Sequence, residues 1–364
     1  MSKILYIFDA ADLQSRLPIA YGAKKKGYNV TIGLIGGDKS LGDFKTINLP
    51  KPSGALNSLS LISAVRKATK HEKPNILHAV TLKYAFICGL SSLFLKHKKI
   101  YTMAGLGYLF YGTGIKAALL QMLLSPLLIL VLRSRNTNLI FQNPDDMELM
   151  KTQGYVRKDH AFLVRGSGVD LEKFNTTPEP QNETPLVLMP TRLVHEKGID
   201  IFIEAAKILK NKGINAKFQI AGGETTHNPK AISAAQMKTM IKDSPVQWLG
   251  RVEDMPALLV SANLIVYPSH YGEGIPRVLL ESCAAGRAII TTDHPGCREA
   301  VAHNENGILV PIKNPQATAD AIQILLNDEN KRHSMGKNSR ARAESEFDIN
   351  LIVKKTLAVY NSCR

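Results

Sequence analysis

Residues 264–281 carry the sequence LIVYPSHYGEGIPRVLLE, which predicts a strand, a turn and a helix in that order. The first four side chains are apolar and include β-branched types, as is typical of a buried strand. Gly272 and Gly274 mark the turn. Pro276 suits the first helical position, because the N–H that proline lacks is not needed there. A strand followed at once by a helix is the repeating unit of a parallel sheet.

The same alternation of short apolar runs and helical patterns covers both halves of the 364-residue chain, with six predicted strands in each half. We therefore expect an α/β protein with two Rossmann-like parallel-sheet domains that face each other across a cleft. The predicted N-terminal domain covers residues 1–170, a Pro- and Asn-containing linker covers 171–185, and the C-terminal domain covers 186–348. A final helix at about 349–364 is expected to pack back on the N-terminal domain.

Two glutamates flank the start of the helix in the quoted stretch. Parallel sheets bind ligands at the carboxyl ends of their strands, and a helix N-terminus there stabilises a diphosphate. Glu273 precedes the helix and Glu281 lies more than a turn inside it, where a carboxylate can accept hydrogen bonds from the two hydroxyls of a ribose. The alternative is that Glu273 is an ordinary turn residue and Glu281 a solvated helix residue.

A second polar motif, PTRLVHEKG at residues 190–198, follows the first predicted strand of the C-terminal half. Arg192 and Lys197 in this loop can neutralise the charge that grows on a departing nucleotide diphosphate. Other transferases use a divalent metal for this purpose, but the sequence contains no Asp-x-Asp pair to hold one. The motif therefore predicts metal-independent chemistry. The alternative is that both cations are solvated surface residues.

Eight short motifs together carry a family resemblance. In the C-terminal half they are RLVHEKG at 192–198, GEGIPRVLLE at 272–281 with its Glu-x7-Glu spacing, AAGRAIITTDHPGCRE at 284–299 and NGILVP at 306–311. In the N-terminal half they are SRLPIA at 15–20, GLGY at 105–108, QNPDD at 142–146 and RGSGVD at 165–170. The chain resembles the family-4 (group 1) retaining glycosyltransferases of the GT-B fold. It is similar to a bacterial subgroup that extends polyprenyl-diphosphate-linked glycans.

The resemblance implies transfer of a hexose or N-acetylhexosamine from a UDP-sugar to a lipid-linked glycan, in surface polysaccharide or glycoprotein glycan assembly. It implies no cofactor and no metal. The catalytic residues that it implies are Arg192, Lys197 and Glu273. The implied donor-binding set is Arg192, Lys197, Gly250, Arg251, Val252, Glu273, Gly274, Ile275, Pro276 and Glu281.

The acceptor side departs from the family pattern. Many members carry a histidine after a strand in the middle of the N-terminal domain, but residues 101–105 contain none. His78 follows another strand and is a substitute, with a purely structural role as its alternative. The predicted acceptor-side residues are Ser15, Arg16, His78, Lys83, Gly105, Gly107 and Tyr108.

The net charge of +15 is concentrated in the first half, where residues 1–180 hold 24 Lys and Arg against 12 Asp and Glu. The basic clusters at 24–26 and 96–99 would attract anionic lipid or nucleic acid, but no nucleic-acid motif accompanies them. The apolar run 117–132, with Lys116 before it and Arg133 after it, is too short to span a bilayer. We expect it to lie in the headgroup plane. The alternatives are a buried core helix and a helix that shares core and membrane roles between its two faces.

These features predict a cytoplasmic protein, peripheral on the inner membrane, whose partners are a nucleotide sugar, a lipid-linked glycan and an anionic membrane surface. The four cysteines are scattered, which fits a reducing compartment. Two other functions stay open: a sugar-nucleotide epimerase of the same fold, which needs no acceptor, and a non-catalytic basic protein that binds lipid or nucleic acid. Product analysis separates the epimerase from the transferase.

Overall fold

Parallel strands form two sheets in the computed structural model, which describes residues 1–38, 40–52, 55–225 and 230–362. The chain divides into unit 1, which is Met1–Ser167 with the C-terminal segment from Ile349, and unit 2, which is Gly168–Asp348. Strands and helices alternate throughout both units. The expectation of an α/β protein with two parallel sheets is confirmed.

Unit 1 has a seven-stranded sheet in the order β3-β2-β1-β4-β5-β6-β7. Its strands are β1 Lys3–Asp9, β2 Asn29–Ile35, β3 Lys45–Leu49, β4 Ile76–Val80, β5 Lys98–Met103, β6 Thr137–Phe141 and β7 Ala161–Leu163. Its helices up to this point of the chain are α1 Leu13–Lys25, α2 Ala55–Glu72, α3 Leu82–Ser91, α4 Gly107–Tyr111, α5 Ile115–Leu132 and α6 Pro144–Thr152. The edge strand β3 is absent from the sequence prediction.

Unit 2 has a six-stranded sheet in the order β10-β9-β8-β11-β12-β13. Its strands are β8 Leu186–Pro190, β9 Lys217–Ala221, β10 Val246–Trp248, β11 Leu264–Tyr267, β12 Ala288–Thr292 and β13 Gly307–Val310. Its helices are α7 Ile199–Asn211, α8 Ala234–Ile241, α9 Met255–Ser261, α10 Arg277–Ala284, α11 Cys297–Ala300, α12 Pro315–Asn327 and α13 Glu329–Arg342.

The last helix, α14 Ile349–Ser362, belongs to unit 1 and packs beside α1. Gly22 of α1 allows the close approach, because a Cβ there would collide with the Val353 side chain of α14. This is the position that the sequence prediction gave to a C-terminal helix.

The two faces of the unit 1 sheet carry different helices. Successive strand residues point to opposite faces, so Leu5 and Ile7 belong to one core and Tyr6 and Phe8 to the other. The first core contains side chains of α2, α3, α5 and α6, whereas the second contains those of α1 and α14. Helices α1 and α5 therefore lie on opposite faces of the sheet.

The segment predicted as a linker, 171–185, is tied to unit 2. Glu179 forms a buried ion pair with Arg332, with 2.6 Å between its Oε1 and the arginine Nε. The buried Arg287 donates to the carbonyl oxygen of Thr177 at 3.0 Å and to that of Pro178 at 3.3 Å. These contacts hold the segment against the body of unit 2.

Candidate functional site

The candidate site lies where the strand order of the unit 2 sheet reverses, between β8 and β11. The chain starts this sheet at β8, adds β9 and β10 on one side, and then returns to place β11 on the other side of β8. The loops that follow β8 and β11 consequently meet at the carboxyl edge, which is where open α/β sheets bind ligands. Two hydrogen bonds join these loops: the His270 N–H and the Ser269 hydroxyl both donate to the Glu196 carbonyl oxygen.

Lys197 and Glu273 form an ion pair at this meeting point. The distance between Lys197 Nζ and Glu273 Oε1 is 2.6 Å, and the two side chains are 5% and 19% exposed. Lys197 ends a short 3-10 helix after β8, while Glu273 lies in the loop after β11. The two residues that the separate motifs singled out are therefore in contact. The structure places a nearly buried cation beside a carboxylate, an arrangement suited to binding an anion and a sugar hydroxyl together.

Two tyrosines and a serine surround this pair. Glu273 Oε1 also accepts hydrogen bonds from the Tyr267 hydroxyl at 3.2 Å and from the Ser269 hydroxyl at 3.4 Å. Burial, with the Glu273 charge next in size, raises the pKa of Tyr267 well above its ordinary value, so the hydroxyl keeps its proton and stays a donor. The rings of Tyr267 and Tyr271 each lie 5.5 Å from Lys197 Nζ, within cation-π range.

Glycines allow the loops of the site to approach each other. Gly198 has φ of 77°, and a Cβ there would collide with the Pro268 carbonyl oxygen of the neighbouring loop. Gly296, in the loop after β12, has φ of 84°, and a Cβ there would collide with the carbonyl oxygens of Glu273 and Gly274. Side chains at these two positions would push the loops apart and separate the residues that they carry.

Helix α10 begins directly behind the pair. Pro276 is its N-cap and Arg277 its first residue, so the helix starts one residue later than predicted. Proline has no side-chain oxygen, so it cannot accept a hydrogen bond from the first-turn amides as Ser or Asp would. Ile275 is buried and fixes the entry of the chain into the helix.

Glu281 lies one turn further along α10 and is 12% exposed, so it is not a solvated surface residue. Its Oε1 accepts from Arg277 Nε at 2.8 Å, across one turn of the helix. Burial raises the pKa of the Glu281 carboxyl, and the Arg277 charge opposes that rise. A mostly buried carboxylate held by one arginine still has lone pairs that a diol could use.

The remaining predicted donor-side residues follow β8 and β10. Arg192 is exposed in the same loop as Lys197. Gly250 has φ of 71°, and its carbonyl oxygen accepts from the Gly222 N–H at 2.7 Å, which joins the loops after β9 and β10. Arg251 is exposed, whereas Val252 packs on the core beside α10. All of them lie at the carboxyl edge of one sheet, and their roles stay predictions.

In unit 1, most of the predicted acceptor-side residues also lie at a carboxyl edge. Ser15 and Arg16 are in the first turn of α1, Lys83 is in the first turn of α3, and the motif 105–108 follows β5. Arg16 is 5% exposed and donates no hydrogen bond to any residue that the structure describes. A nearly buried guanidinium without a partner is costly, so this cation is suited to an anionic ligand.

His78 has a different position from the one predicted. Its side chain is fully buried in β4, with Nδ1 2.6 Å from the Tyr360 hydroxyl of α14 and Nε2 2.8 Å from the Thr102 hydroxyl of β5. Burial lowers the pKa of His78 to about 3, so the ring is neutral. His78 therefore holds α14 to the sheet, and the structural alternative for it is the correct one.

Sequence reasoning missed Tyr267, Ser269 and Gly296. Tyr267 is the last residue of β11, and its position in an apolar run is typical of a core strand residue. Only its hydroxyl group indicates a polar role. Gly296 lies in a Pro-Gly pair after β12, a turn signal without an assigned partner.

Models of two protein families match the chain. The family described as glycosyl transferases group 1 matches residues 172–342, and the family described as glycosyl transferase 4-like matches residues 3–143. The two matches fall in unit 2 and unit 1 respectively.

Curated relatives include bacterial transferases of glycan assembly. The chain is 30% identical over 269 residues to the N,N'-diacetylbacillosaminyl-diphospho-undecaprenol alpha-1,3-N-acetylgalactosaminyltransferase of Campylobacter jejuni, a match covering 71% of this chain and 68% of the relative. It is 29% identical over 217 residues to the capsular polysaccharide biosynthesis glycosyltransferase CapM of Staphylococcus aureus, which covers 56% of each chain.

Solved structures share the fold. A sucrose-phosphate synthase of Thermosynechococcus elongatus superposes with a TM-score of 0.83 at 18% identity, covering 100% of this chain and 99% of that one. Anabaena HepE in complex with UDP and glucose superposes with a TM-score of 0.80 at 20% identity, covering 100% of both chains. The chain thus has the GT-B fold and belongs to the group 1 glycosyltransferases.

Proposed function

We propose that this glycosyltransferase is retaining and metal-independent, and that it moves a hexose or N-acetylhexosamine from a UDP-sugar to a polyprenyl-diphosphate-linked glycan. The observation that carries the proposal is the nearly buried Lys197–Glu273 pair at the switch point of the unit 2 sheet. Lys197 and the exposed Arg192 are two cations on one loop. They would bind the donor diphosphate and need no metal ion.

The donor would be bound by groups with separate tasks. Lys197, Arg192 and the first-turn amides of α10 would face the diphosphate, where oppositely charged and dipolar groups stabilise the charge on the leaving group. Glu273, with the backbone at Gly274 and Ile275, would accept from hydroxyls of the sugar. Glu281 would accept from the ribose hydroxyls, and residues 250–252 would lie near the base.

Retention would follow from attack on the same face that the diphosphate leaves. The bond between the sugar C1 and the diphosphate oxygen breaks, and its electron pair stays on that oxygen. The acceptor hydroxyl oxygen forms the new bond to C1, and its proton passes to the departing diphosphate oxygen. Lys197 and Arg192 would lower the barrier by stabilising the negative charge as it develops.

The acceptor class is proposed from relatives and from unit 1. Two Campylobacter jejuni relatives carry undecaprenol-linked glycans in their names, and one of them is 32% identical over 186 residues. Arg16 is a nearly buried cation without a hydrogen bond to the described residues, so it is our candidate for binding an acceptor diphosphate. We place the reaction on the cytoplasmic face of the inner membrane, with the protein as a peripheral component.

The test is a product analysis. Purified protein is incubated with a panel of UDP-, GDP- and ADP-sugars, with and without a polyprenyl-diphosphate-linked glycan, and products are separated by chromatography and mass spectrometry. We expect one sugar to be added to the glycan and one nucleotide diphosphate to be released per turnover. Isomerisation of the donor without acceptor would instead establish the epimerase. Retention is read from the anomeric configuration of the new linkage by NMR.

A further inference from the structure

Helix α5 presents an apolar stripe to solvent. Its exposed large side chains lie in rows three or four residues apart, with two adjacent pairs among them, so together they cover one side of the helix. They range from 40% exposed at Leu120 to 79% at Ile115, with the others between. The stripe consists of Ile115, Leu119, Leu120, Met122, Leu123, Leu127 and Leu130. A continuous apolar face of this kind, exposed to solvent, is typical of a docking site.

The opposite face of α5 fixes the orientation of the helix. Leu128, Val131 and Leu132 are buried in the core that also contains Tyr101 and Met103 of the sheet. The expectation that the apolar run is too short to span a bilayer is wrong by length and composition alone, because α5 extends the run to 18 residues. One side of the helix, however, is committed to the sheet. It can therefore meet lipid only along its exposed side, lying parallel to the surface. The alternative interpretation of α5 as a fully buried core helix is therefore wrong, because most of its residues are exposed.

The stretch of chain that contains α5 carries charge of a single sign. Residues 73–144, which include α3, α4 and α5, contain eight Lys and Arg and no Asp or Glu. Lys116 lies in the first turn of α5, and Arg133 and Arg135 follow the helix, all of them exposed. This charge complements anionic lipid headgroups. A second copy of the chain would bring like charges together, so the same charge disfavours a homodimer through this face.

We propose that α5 docks the protein in the plane of an anionic bilayer, with the stripe among the headgroups and upper acyl chains and with Lys116, Arg133 and Arg135 on lipid phosphates. The cluster at 24–26 takes no part, because it ends α1 on the other face of the unit 1 sheet. The sequence alone leaves this cluster among the candidate lipid contacts, and the fold separates it from α5.

This inference rests on the proposed lipid-linked acceptor, and it adds the route by which that acceptor arrives. The motif 105–108 and α4 directly precede α5 in the chain, and Tyr108 is 54% exposed. Docking through α5 would bring the predicted acceptor loop close to the lipid surface. The glycan carrier could then reach the loop without leaving the bilayer.

The test is sedimentation of the full-length protein with phosphatidylglycerol-rich vesicles at low salt, with phosphatidylcholine vesicles as reference. We expect Leu123→Glu with Leu127→Glu to lower binding by about tenfold or more, because two leucines leave the lipid. We expect Arg133→Glu with Arg135→Glu to lower it by at least about tenfold, since each basic residue near the surface contributes about fivefold. The matched control is Lys25→Glu with Lys26→Glu, which changes the net charge equally and should lower binding less than about twofold.

A fluorescence readout is independent of sedimentation. Tryptophan replaces Leu123 in one variant and Tyr21 of α1, which is exposed on the opposite face, in another. With the chain's one natural tryptophan, Trp248, changed to phenylalanine in both, a blue shift on vesicle addition is expected at position 123 and none at position 21.

Three outcomes would overturn the proposal: wild-type protein that ignores anionic vesicles, stripe variants that bind like wild type, or a control pair that loses as much binding as the arginine pair. Stripe variants that turn a wild-type dimer into a monomer would assign the stripe to a second copy instead. Transfer to a short-chain, water-soluble acceptor should be unaffected by the stripe variants. If vesicle binding holds but no acceptor is glycosylated, the proposed function fails and the docking surface stands.

Discussion

Lys197→Met tests the central claim about the site, because methionine fills a similar volume without the charge. In the folded protein the ammonium lies 2.6 Å from Glu273 Oε1 and is 5% exposed. Removing one partner of a buried pair costs about 3 to 5 kcal/mol when nothing replaces it. Glu273 keeps the hydroxyls of Tyr267 and Ser269, and it is partly exposed, so we expect a smaller loss of about 2 kcal/mol in the free energy of unfolding.

The effect on turnover should be larger than the effect on stability. A donor aimed at charge that develops in the transition state is worth about 10²- to 10³-fold in kcat. We therefore expect Lys197→Met to lower kcat by that factor, measured as nucleotide release at a temperature where the variant is fully folded. Lys230→Met is the matched control, because Lys230 pairs with Glu196 at 3.5 Å next to the same loop but is 63% exposed.

The control should change kcat less than about twofold and stability by less than about 1 kcal/mol. Glu273→Gln in the Lys197→Met background should recover part of the lost stability, because no unpaired carboxylate is left. A folded Lys197→Met protein with kcat within tenfold of wild type would refute the assignment of Lys197 to the leaving diphosphate.

Three further predictions address the rest of the site and the fold. Glu281→Ala should raise the Kd for the donor by about tenfold or more, measured by calorimetry. The control Glu204→Ala, on the exposed side of α7, should leave that Kd unchanged. If Glu281→Ala binds the donor as tightly as wild type, Glu281 does not bind the ribose. EDTA should leave most of the activity intact, and activity that disappears and returns with magnesium or manganese would contradict the cationic-loop account. Burial raises the pKa of Asp146 to about 6 from an ordinary 3.8, so its contribution to stability is full below about pH 4 and is lost as the pH rises through 6. The difference in the free energy of unfolding between wild type and Asp146→Asn should therefore change by about 2 kcal/mol between pH 4 and pH 6. A difference that stays constant over this pH range would contradict the prediction.

The sequence predicted both sheets because their central strands are short apolar runs between clear turn signals. It missed β3, Lys45–Leu49, for a physical reason. This edge strand is half-exposed and mixes polar with apolar residues, so it lacks the continuous apolar character of the buried strands. The segment 171–185 has the composition of a linker, yet Glu179 is buried against Arg332 of a helix 153 residues away. Composition cannot show a contact of that range.

The motifs located the candidate site but not its internal contacts. Lys197 and Glu273 are 76 residues apart, and only the strand order of the sheet brings them together. His78 illustrates the opposite case. A histidine near the end of a strand resembles a site residue until its partner Tyr360, 282 residues later, is seen to occupy one ring nitrogen. Local spacing identifies which side chains can do chemistry, and the tertiary fold decides which of them are available for it.

In helix α5 the hydrophobic pattern does not show which face is buried, and the flanking charge is the more useful guide to function. Nearly every residue from 117 to 132 is apolar, so no periodicity distinguishes the face that packs on the sheet from the face that meets solvent. Only the sheet makes that choice, by burying Leu128, Val131 and Leu132. The acid-free stretch 73–144 was readable from the start, but its meaning depends on the same choice. Because the fold turns the apolar stripe outward with the exposed Lys116, Arg133 and Arg135 beside it, one helix acquires both of the attractions that peripheral membrane binding requires.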